Sequence, residues 1–386
     1  MVCLAENHAM AEPQTTVGSD EHWMALHGGA GGSLPRTPFR SRFGAIGAYV
    51  PAARLTTDAL MASTRYETDI DLERLTGVRE RRVVGEGEDS YTLALAAARD
   101  ALARADFGAG DLDMVIVSSI SRHVGGLRRI QLEPPVSVAL KEALGARGAV
   151  SFDISNACAG MMTGVFLLND YIRQGRIRRG MVVSGEYISE LSHSARQEVR
   201  DVMSDQLPSL TLGDAGAAAI LERAPDGDGG IEIAGFTTLS EHSRLCVAFP
   251  SKVGPGTSMY TKGREIHQAA TEDAVPMLRE ALDQAGLQFD QIDYLIPHQT
   301  SARAIKKAMV EFTAGLGGEP RNVVVTVDEL GNTASTTHFV ALWRYLNEGR
   351  FKAGDRVLLL SLASGLEVGI VIFRIGDLVG RYGHGR

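Results

Sequence analysis

Apolar positions along the chain follow two periods in turn, and each change of period marks a boundary between a strand and a helix. The runs Ala45-Ile46-Gly47-Ala48-Tyr49-Val50, Met114-Val115-Ile116-Val117 and Tyr294-Leu295-Ile296-Pro297 are short, continuous and apolar, as buried strands are. Segments 92–104 and 272–285 space their apolar residues three and four apart, the signature of a helix with one buried face. The pattern predicts a strand at 45–50 stopped by Pro51, helices at 57–64 and 92–104, a strand at 114–118, a helix at 136–144, a strand at 150–154, a helix at 158–173 and a strand at 181–186. A less regular stretch follows to Ser209, then a strand at 217–221. The run Pro225-Asp226-Gly227-Asp228-Gly229-Gly230 has turn composition and reads as a seam. Beyond it the order repeats: strand 231–236, helix 272–285, strand 294–296, helix 300–312, strand 323–327, helix 333–347, and strands 356–362 and 368–374. Strands alternating with helices define an α/β fold.

One unit occurs twice. The segment from Asn156 to Arg176 aligns without a gap on the segment from Leu330 to Arg350, at a constant offset of 174 (332 minus 158). Cys158 then falls on Asn332, Val165 on Phe339, Leu168 on Leu342, Tyr171 on Tyr345, and Gly175-Arg176 on Gly349-Arg350. Upstream, Ala101-Leu102, Ala105 and Leu112-Asp113 match Ala281-Leu282, Ala285 and Ile292-Asp293 at an offset of 180 (281 minus 101), which sets His298 opposite Ser118. A duplicated helix-strand-helix unit predicts two halves related by a pseudo-twofold. We divide the chain into an extension at 1–40, a first half at 41–225 and a second half at 226–380. Equivalent strand ends meet at the centre of such a fold, so Cys158, His298 and Asn332 can converge.

Composition narrows the function. At 386 residues the chain exceeds one ordinary core, in keeping with two intimately packed halves. A net charge of −8 argues against a nucleic-acid partner, because phosphate binding needs a basic field. Cys3, Cys158 and Cys246 are too widely spaced for a disulfide framework or a metal site, so no metal is expected and a reducing cytoplasm is. No apolar run approaches the roughly 18 residues of a membrane span, and the first residues lack a charged leader followed by an apolar core, so neither a membrane nor secretion is expected. Residues 1–40, with the glycine-rich run 27–35, read as a flexible arm dispensable to the chemistry.

Three residues stand at strand-to-helix junctions. After the strand at 150–154, Cys158 opens a helix among the small residues Ala157, Ala159 and Gly160. A thiol there faces the positive end of a helix, which favours thiolate and would lower its pKa. The same pattern also suits a buried core cysteine. His298 ends a strand just before a helix, where it can meet a developing oxyanion, exchange a proton or simply cap the helix. Asn332 lies at the next such turn, and its amide can cap a helix or donate to a carbonyl in the site.

The strings Asn156-Ala157-Cys158-Ala159-Gly160, Pro297-His298-Gln299 and Gly331-Asn332-Thr333 resemble the Cys-His-Asn signatures of β-ketoacyl-acyl-carrier-protein synthase III, within the thiolase-like condensing enzymes. Segments 76–81 and 212–218 resemble that family too, and the likeness spans about residues 43–375. It implies a thiolase-like fold in α-β-α-β-α layers. It further implies that Cys158 takes an acyl group from a thioester and that His298 with Asn332 stabilises the attacking carbanion or enolate. The backbone N–H groups of Cys158 and Gly365 would form an oxyanion hole, donors of that kind being worth about 2.7–4 kcal/mol each. No cofactor is implied beyond the acyl-CoA or acyl-carrier-protein thioesters that serve as substrates. The partners implied are that carrier and a second copy of the chain, a homodimer in which each site borrows a loop from the other.

Departures from the family sharpen the expectation. Asp71 and Leu75 stand where the housekeeping enzymes carry a Trp and an Arg that clamp the adenine of coenzyme A. The run Ala363-Ser364-Gly365-Leu366-Glu367-Val368 resembles olefin-pathway enzymes that join two fatty acyl chains head to head. In those enzymes a Glu-Pro pair reaches across the dimer as a base, and Leu132-Glu133-Pro134-Pro135-Val136 resembles that segment; Glu133 is either such a base or a solvated loop carboxylate. The preceding run 122–129 is an unusual insertion whose basic residues meet a phosphopantetheine or carrier protein, or are solvated. Two other readings compete with carbon–carbon condensation: a Cys-dependent acyltransferase to an alcohol or amine, and a non-catalytic partner subunit. The retained Asn332 counts against the first and the intact triad against the second.

Overall fold

Two sheets with the same strand order carry the chain in the computed structural model, which describes residues 24–25, 38–125, 130–225 and 230–383. The strands of the first half are β2 Ser41–Tyr49, β3 Arg54–Thr56, β4 Glu80–Arg82, β5 Met114–Val117, β6 Val150–Asp153, β7 Arg179–Glu186 and β8 Ala215–Arg223, preceded by a short β1 at Met24–Ala25. Those of the second are β9 Ile231–Thr238, β10 Cys246–Pro250, β11 Thr257–Thr261, β12 Tyr294–Pro297, β13 Asn322–Val323, β14 Arg356–Ala363 and β15 Glu367–Arg374. The helices are α1 Thr57–Ala62, α2 Leu72–Thr76, α3 Ser90–Arg104, α4 Val136–Leu144, α5 Gly160–Arg173 and α6 Leu191–Glu198, then α7 Gly263–Ala285, α8 Ala302–Leu316, α9 Val327–Leu330 and α10 Thr337–Asn347.

The first sheet runs β2-β8-β7-β5-β6 and the second β9-β15-β14-β12-β13, so each strand has its counterpart in the other half. Strands β5 and β12 are parallel to both neighbours, and β5 throughout and β12 beyond Tyr294 are apolar and buried, which suits positions covered on both faces. Between the sheets lie α5 and α10, whose Met161, Val165, Leu168, Phe339 and Leu342 fill the central core. Helices α7 and α8 cover the outer face of the second sheet, and α3 and α4 that of the first. The result is the five-layer α-β-α-β-α arrangement of the thiolase-like fold. No helix among the described residues is long and apolar enough to cross a membrane.

Two expectations need correction. Within the extension, β1 pairs antiparallel with β9 and adds a sixth strand to the second sheet, so 24–25 belong to the fold. Residues 1–23 and 26–37 of the extension, most of the turn at 225–230 and part of the insertion at 122–129 lie outside the described residues.

The second correction concerns the repeat. The offset of 174 holds where the central helices end: Gly175 and Gly349 both take positive φ, and Arg176 and Arg350 bond back to Tyr171 and Tyr345. At the other end the equivalence is 177. Single 3-10 turns at Ala157–Ala159 and Ala334–Thr336 precede the helices, and Ala157 and Ala334 are the only non-glycine residues with positive φ among those described. Helix α5 has 14 residues and α10 has 11, one turn fewer. The counterpart of Cys158 at the elbow is therefore Ser335, and Asn332 lies three residues before it.

Candidate active site

Strand β6 delivers the chain to the elbow at Ala157–Ala159, where a φ of 43° at Ala157 turns it sharply into α5. Cys158 thus sits on a 3-10 turn ahead of the helix, not inside its first turn. Its side chain lines a cavity of about 440 Å³ together with His298 and Asn332, so the three residues picked from separate strings share one space. Most of the wall is apolar, with Ile188, Leu191, Leu207, Met259 and Leu366. The β10–β11 hairpin supplies Cys246, Val247, Ala248, Met259 and Thr261. This wall was not read from the sequence, since two five-residue strands around a Gly- and Pro-bearing turn leave little alternation to detect.

Burial dominates the titration of Cys158. It pushes the thiol well above its usual range, the Cys246 thiol and the Glu186 carboxyl push the same way, and the residue's own backbone N–H offsets only a little. The low pKa expected from a helix terminus is therefore overturned, because desolvation in an apolar cavity outweighs the field of the helix end. Glu186, at the end of β7, is fully buried and was not singled out in the sequence. Its carboxyl accepts from the backbone N–H groups of Ile120 and Ser121 and from the hydroxyls of Ser121, Ser184 and Ser335. Burial nonetheless raises its pKa. The elbow of the second half thus turns Ser335 inward onto a carboxyl, while that of the first turns Cys158 to the cavity.

His298 follows β12 and is 5% exposed, its backbone N–H donating to the Leu360 carbonyl at 2.9 Å. It does not cap α8, whose cap is Ser301 accepting from the Ala304 N–H. Burial and the neighbouring His338 lower its pKa to about 3, so the ring is neutral at physiological pH. Its Nδ1 is enclosed without a partner among the described residues, which leaves Nε2 toward the cavity. His338 stacks on it with centroids 5.7 Å apart and planes at 29°.

Asn332 is held by main chain on both sides. Its N–H donates to Thr211 O at 2.9 Å and its carbonyl accepts from Gly213 N–H at 3.0 Å, a bridge between the two halves. The approach is so close that a Cβ on Gly213 would lie 2.1 Å from the Leu330 carbonyl. Gly331, before the Asn, has a φ of 71°. Asn332 does not cap α10; its Oδ1 accepts from the Ala334 N–H at 3.0 Å, which leaves Nδ2 as the free end of the amide.

The remaining expected residues lie around this centre. Gly365 is in the turn between β14 and β15, and its neighbours Ser364 and Leu366 line the cavity. Glu133 is exposed and does not line the cavity of a single chain. Beside it Leu132 is 76% exposed. At the expected adenine clamp, Asp71 caps α2 by accepting from the Arg74 N–H, and Leu75 is exposed.

Comparison with known proteins places these features in a family. Residues 152–241 match the family described as 3-oxoacyl-[acyl-carrier-protein] synthase III, and residues 282–375 match its C-terminal part. The β-ketoacyl-[acyl-carrier-protein] synthase III of Symbiobacterium thermophilum is 32% identical over 333 residues, 81% of this chain and 94% of that one. That of Rhizobium rhizogenes is 31% identical over 342 residues, 87% of this chain and 99% of that one. Among solved structures, 3-oxoacyl-[acyl-carrier-protein] synthase III from Aquifex aeolicus superposes with a TM-score of 0.73 at 25% identity, covering 87% of this chain and 100% of that one. Cerulenin-bound OleA from Xanthomonas campestris superposes with a TM-score of 0.74 at 22% identity, covering 89% and 99%, a likeness of fold.

Proposed function

The chain belongs to the β-ketoacyl-[acyl-carrier-protein] synthase III family, and from that premise we propose that it is an acyl-thioester condensing enzyme working through Cys158, His298 and Asn332. The observation that carries this reading is the meeting of the three side chains in one mostly apolar cavity, which suits an acyl chain at one end and a polar reaction centre at the other. The Cys158 sulfur attacks the thioester carbonyl, a new C–S bond forms, and the donor thiol departs with the proton that Cys158 carried. A second thioester then becomes a carbanion, by loss of CO2 from a malonyl-type group or of an α-proton. Its enolate oxygen takes hydrogen bonds from the Asn332 amide and the His298 ring. The carbanion attacks the Cys158 thioester, the oxyanion rests against the N–H groups of Cys158 and Gly365, and collapse breaks the C–S bond to release the β-ketoacyl product and the Cys158 thiolate, which takes its proton back from solvent or from the base that removed the α-proton.

The donor is an acyl thioester of coenzyme A or acyl carrier protein, and the working unit is a homodimer. Supporting the dimer, β6 is an open edge of the first sheet with Val150 59% exposed, and such an edge invites pairing with a second copy. That arrangement would let the exposed Glu133 reach the neighbouring site. An acyltransferase to alcohols or amines gains no support from any feature of the cavity.

The test is intact-mass spectrometry after incubation with straight-chain acyl thioesters. The wild-type chain should gain one acyl mass on the peptide holding Cys158, and folded Cys158→Ala should gain none. Label on Cys246, or on the Cys158→Ala protein, would overturn the assignment.

A further inference from the structure

Resting on the reading above for the part His298 plays in condensation, we infer that His338 is a positioning residue that fixes the orientation of the His298 ring at the cavity wall. His338 lies in the first turn of α10, is fully buried and does not touch the cavity. Its Nε2 lies 2.9 Å from the Leu360 carbonyl, and a carbonyl can only accept, so that nitrogen carries the proton. The same carbonyl accepts the backbone N–H of His298. One oxygen of β14 therefore sets both the start of the His298 side chain and the plane stacked against its ring. The His298 ring thus packs against a neighbour whose own ring is tied to β14 through Nε2.

Two further observations separate this from ordinary core filling. First, His338 costs stability where it stands. It is a polar ring next to Phe339, Val340, Ala341 and Leu342, and its Nδ1 is buried with no partner among the described residues. An unmet buried polar atom is a penalty that an apolar residue would avoid. Second, the pseudo-twofold supplies an internal control. The counterpart of His298 is Ser118, and the counterpart of His338, at the offset of 177 shared by the elbows, is Met161, also fully buried. Where no imidazole needs support, the fold places a methionine. Burial also lowers the pKa of His338 to about 4, so the ring stacked behind His298 is uncharged at neutral pH.

The experiment separates the two half reactions in His338→Met, which copies the counterpart, and in His338→Gln, which keeps an N–H for Leu360. N-acetylcysteamine thioesters of straight-chain acids serve as probe, with acyl transfer to Cys158 read by intact mass and β-ketoacyl product by chromatography. His338→Met should acylate within about twofold of wild type. Its condensation kcat should fall about 10²-fold, as expected for a misplaced reacting group, with KM for the donor unchanged. His338→Gln should recover at least threefold of that loss. Wild-type condensation in His338→Met, or acylation and condensation falling together in whichever variant folds, would overturn the inference. His298→Ala is the control: if it still condenses, the role given to His298 fails, whereas its inactivity beside a fully active His338→Met rejects the positioning role alone.

Discussion

A thiol enclosed by Ile188, Leu191, Leu212 and Met259 is a different reagent from one at a wet helix end. Because its pKa is raised, Cys158 is a thiol at neutral pH, and its thiolate fraction grows with every added pH unit. We expect iodoacetamide to alkylate Cys158 slowly at pH 7, with a rate that still climbs past pH 9 when followed by peptide mapping; a plateau by pH 8 would show the helix terminus winning after all. Acylation by a bound thioester need not share this sluggishness, since binding holds its carbonyl in place against the sulfur. At this scale the triad was legible because each member stands at a strand-to-helix junction in a short string that resembles a family signature. His338 and Glu186 were not. Each is a single ionisable residue bordering an apolar run, and what gives it meaning is a partner 22 to 149 residues away, Leu360 for one and Ser335 for the other.

At the level of elements, most helices and strands follow the apolar periods, and the central repeat was visible as a constant spacing. The exceptions have local causes. Residues 323–327 continue the apolar pattern of a strand, yet β13 stops at Val323, and the Gln299 side chain accepts the N–H groups of Thr326 and Val327 as α9 begins. The repeat itself was read in the register of the helix ends, where identities are dense, and so missed the three-residue shift at the elbows. The bridge holding Asn332 is another contact no local pattern announces, and it yields a prediction. Gly213→Ala would press a methyl onto the Leu330 carbonyl and lever Asn332 away. It should cost about 1–3 kcal/mol in chemical denaturation, as overpacking does, and reduce condensation at least tenfold while Cys158 still acylates. Equal loss of both half reactions would mean that the bridge serves only the fold.

For the whole molecule, light scattering should give twice the 41.3 kDa chain mass, and an active monomer would refute the dimer. Glu133→Gln then tests whether the neighbour's loop does chemistry. We expect Cys158 acylation to survive and product from unactivated acyl thioesters to vanish, because abstraction of an α-proton needs a positioned carboxylate, a contribution of about 10²–10⁴-fold. Unchanged turnover would return the enzyme to the decarboxylative mode. The mismatch of one helical turn between α5 and α10 reaches further than either test. With one helix a turn shorter than its mate, the two elbows cannot present the same residue to the same place. The hydroxyl at the second elbow goes to Glu186 in the seam, and an amide three residues earlier shares the cavity with the sulfur of the first. Two copies of one turn thus serve as a tool and its holder, and the difference of one helical turn divides the labour between them.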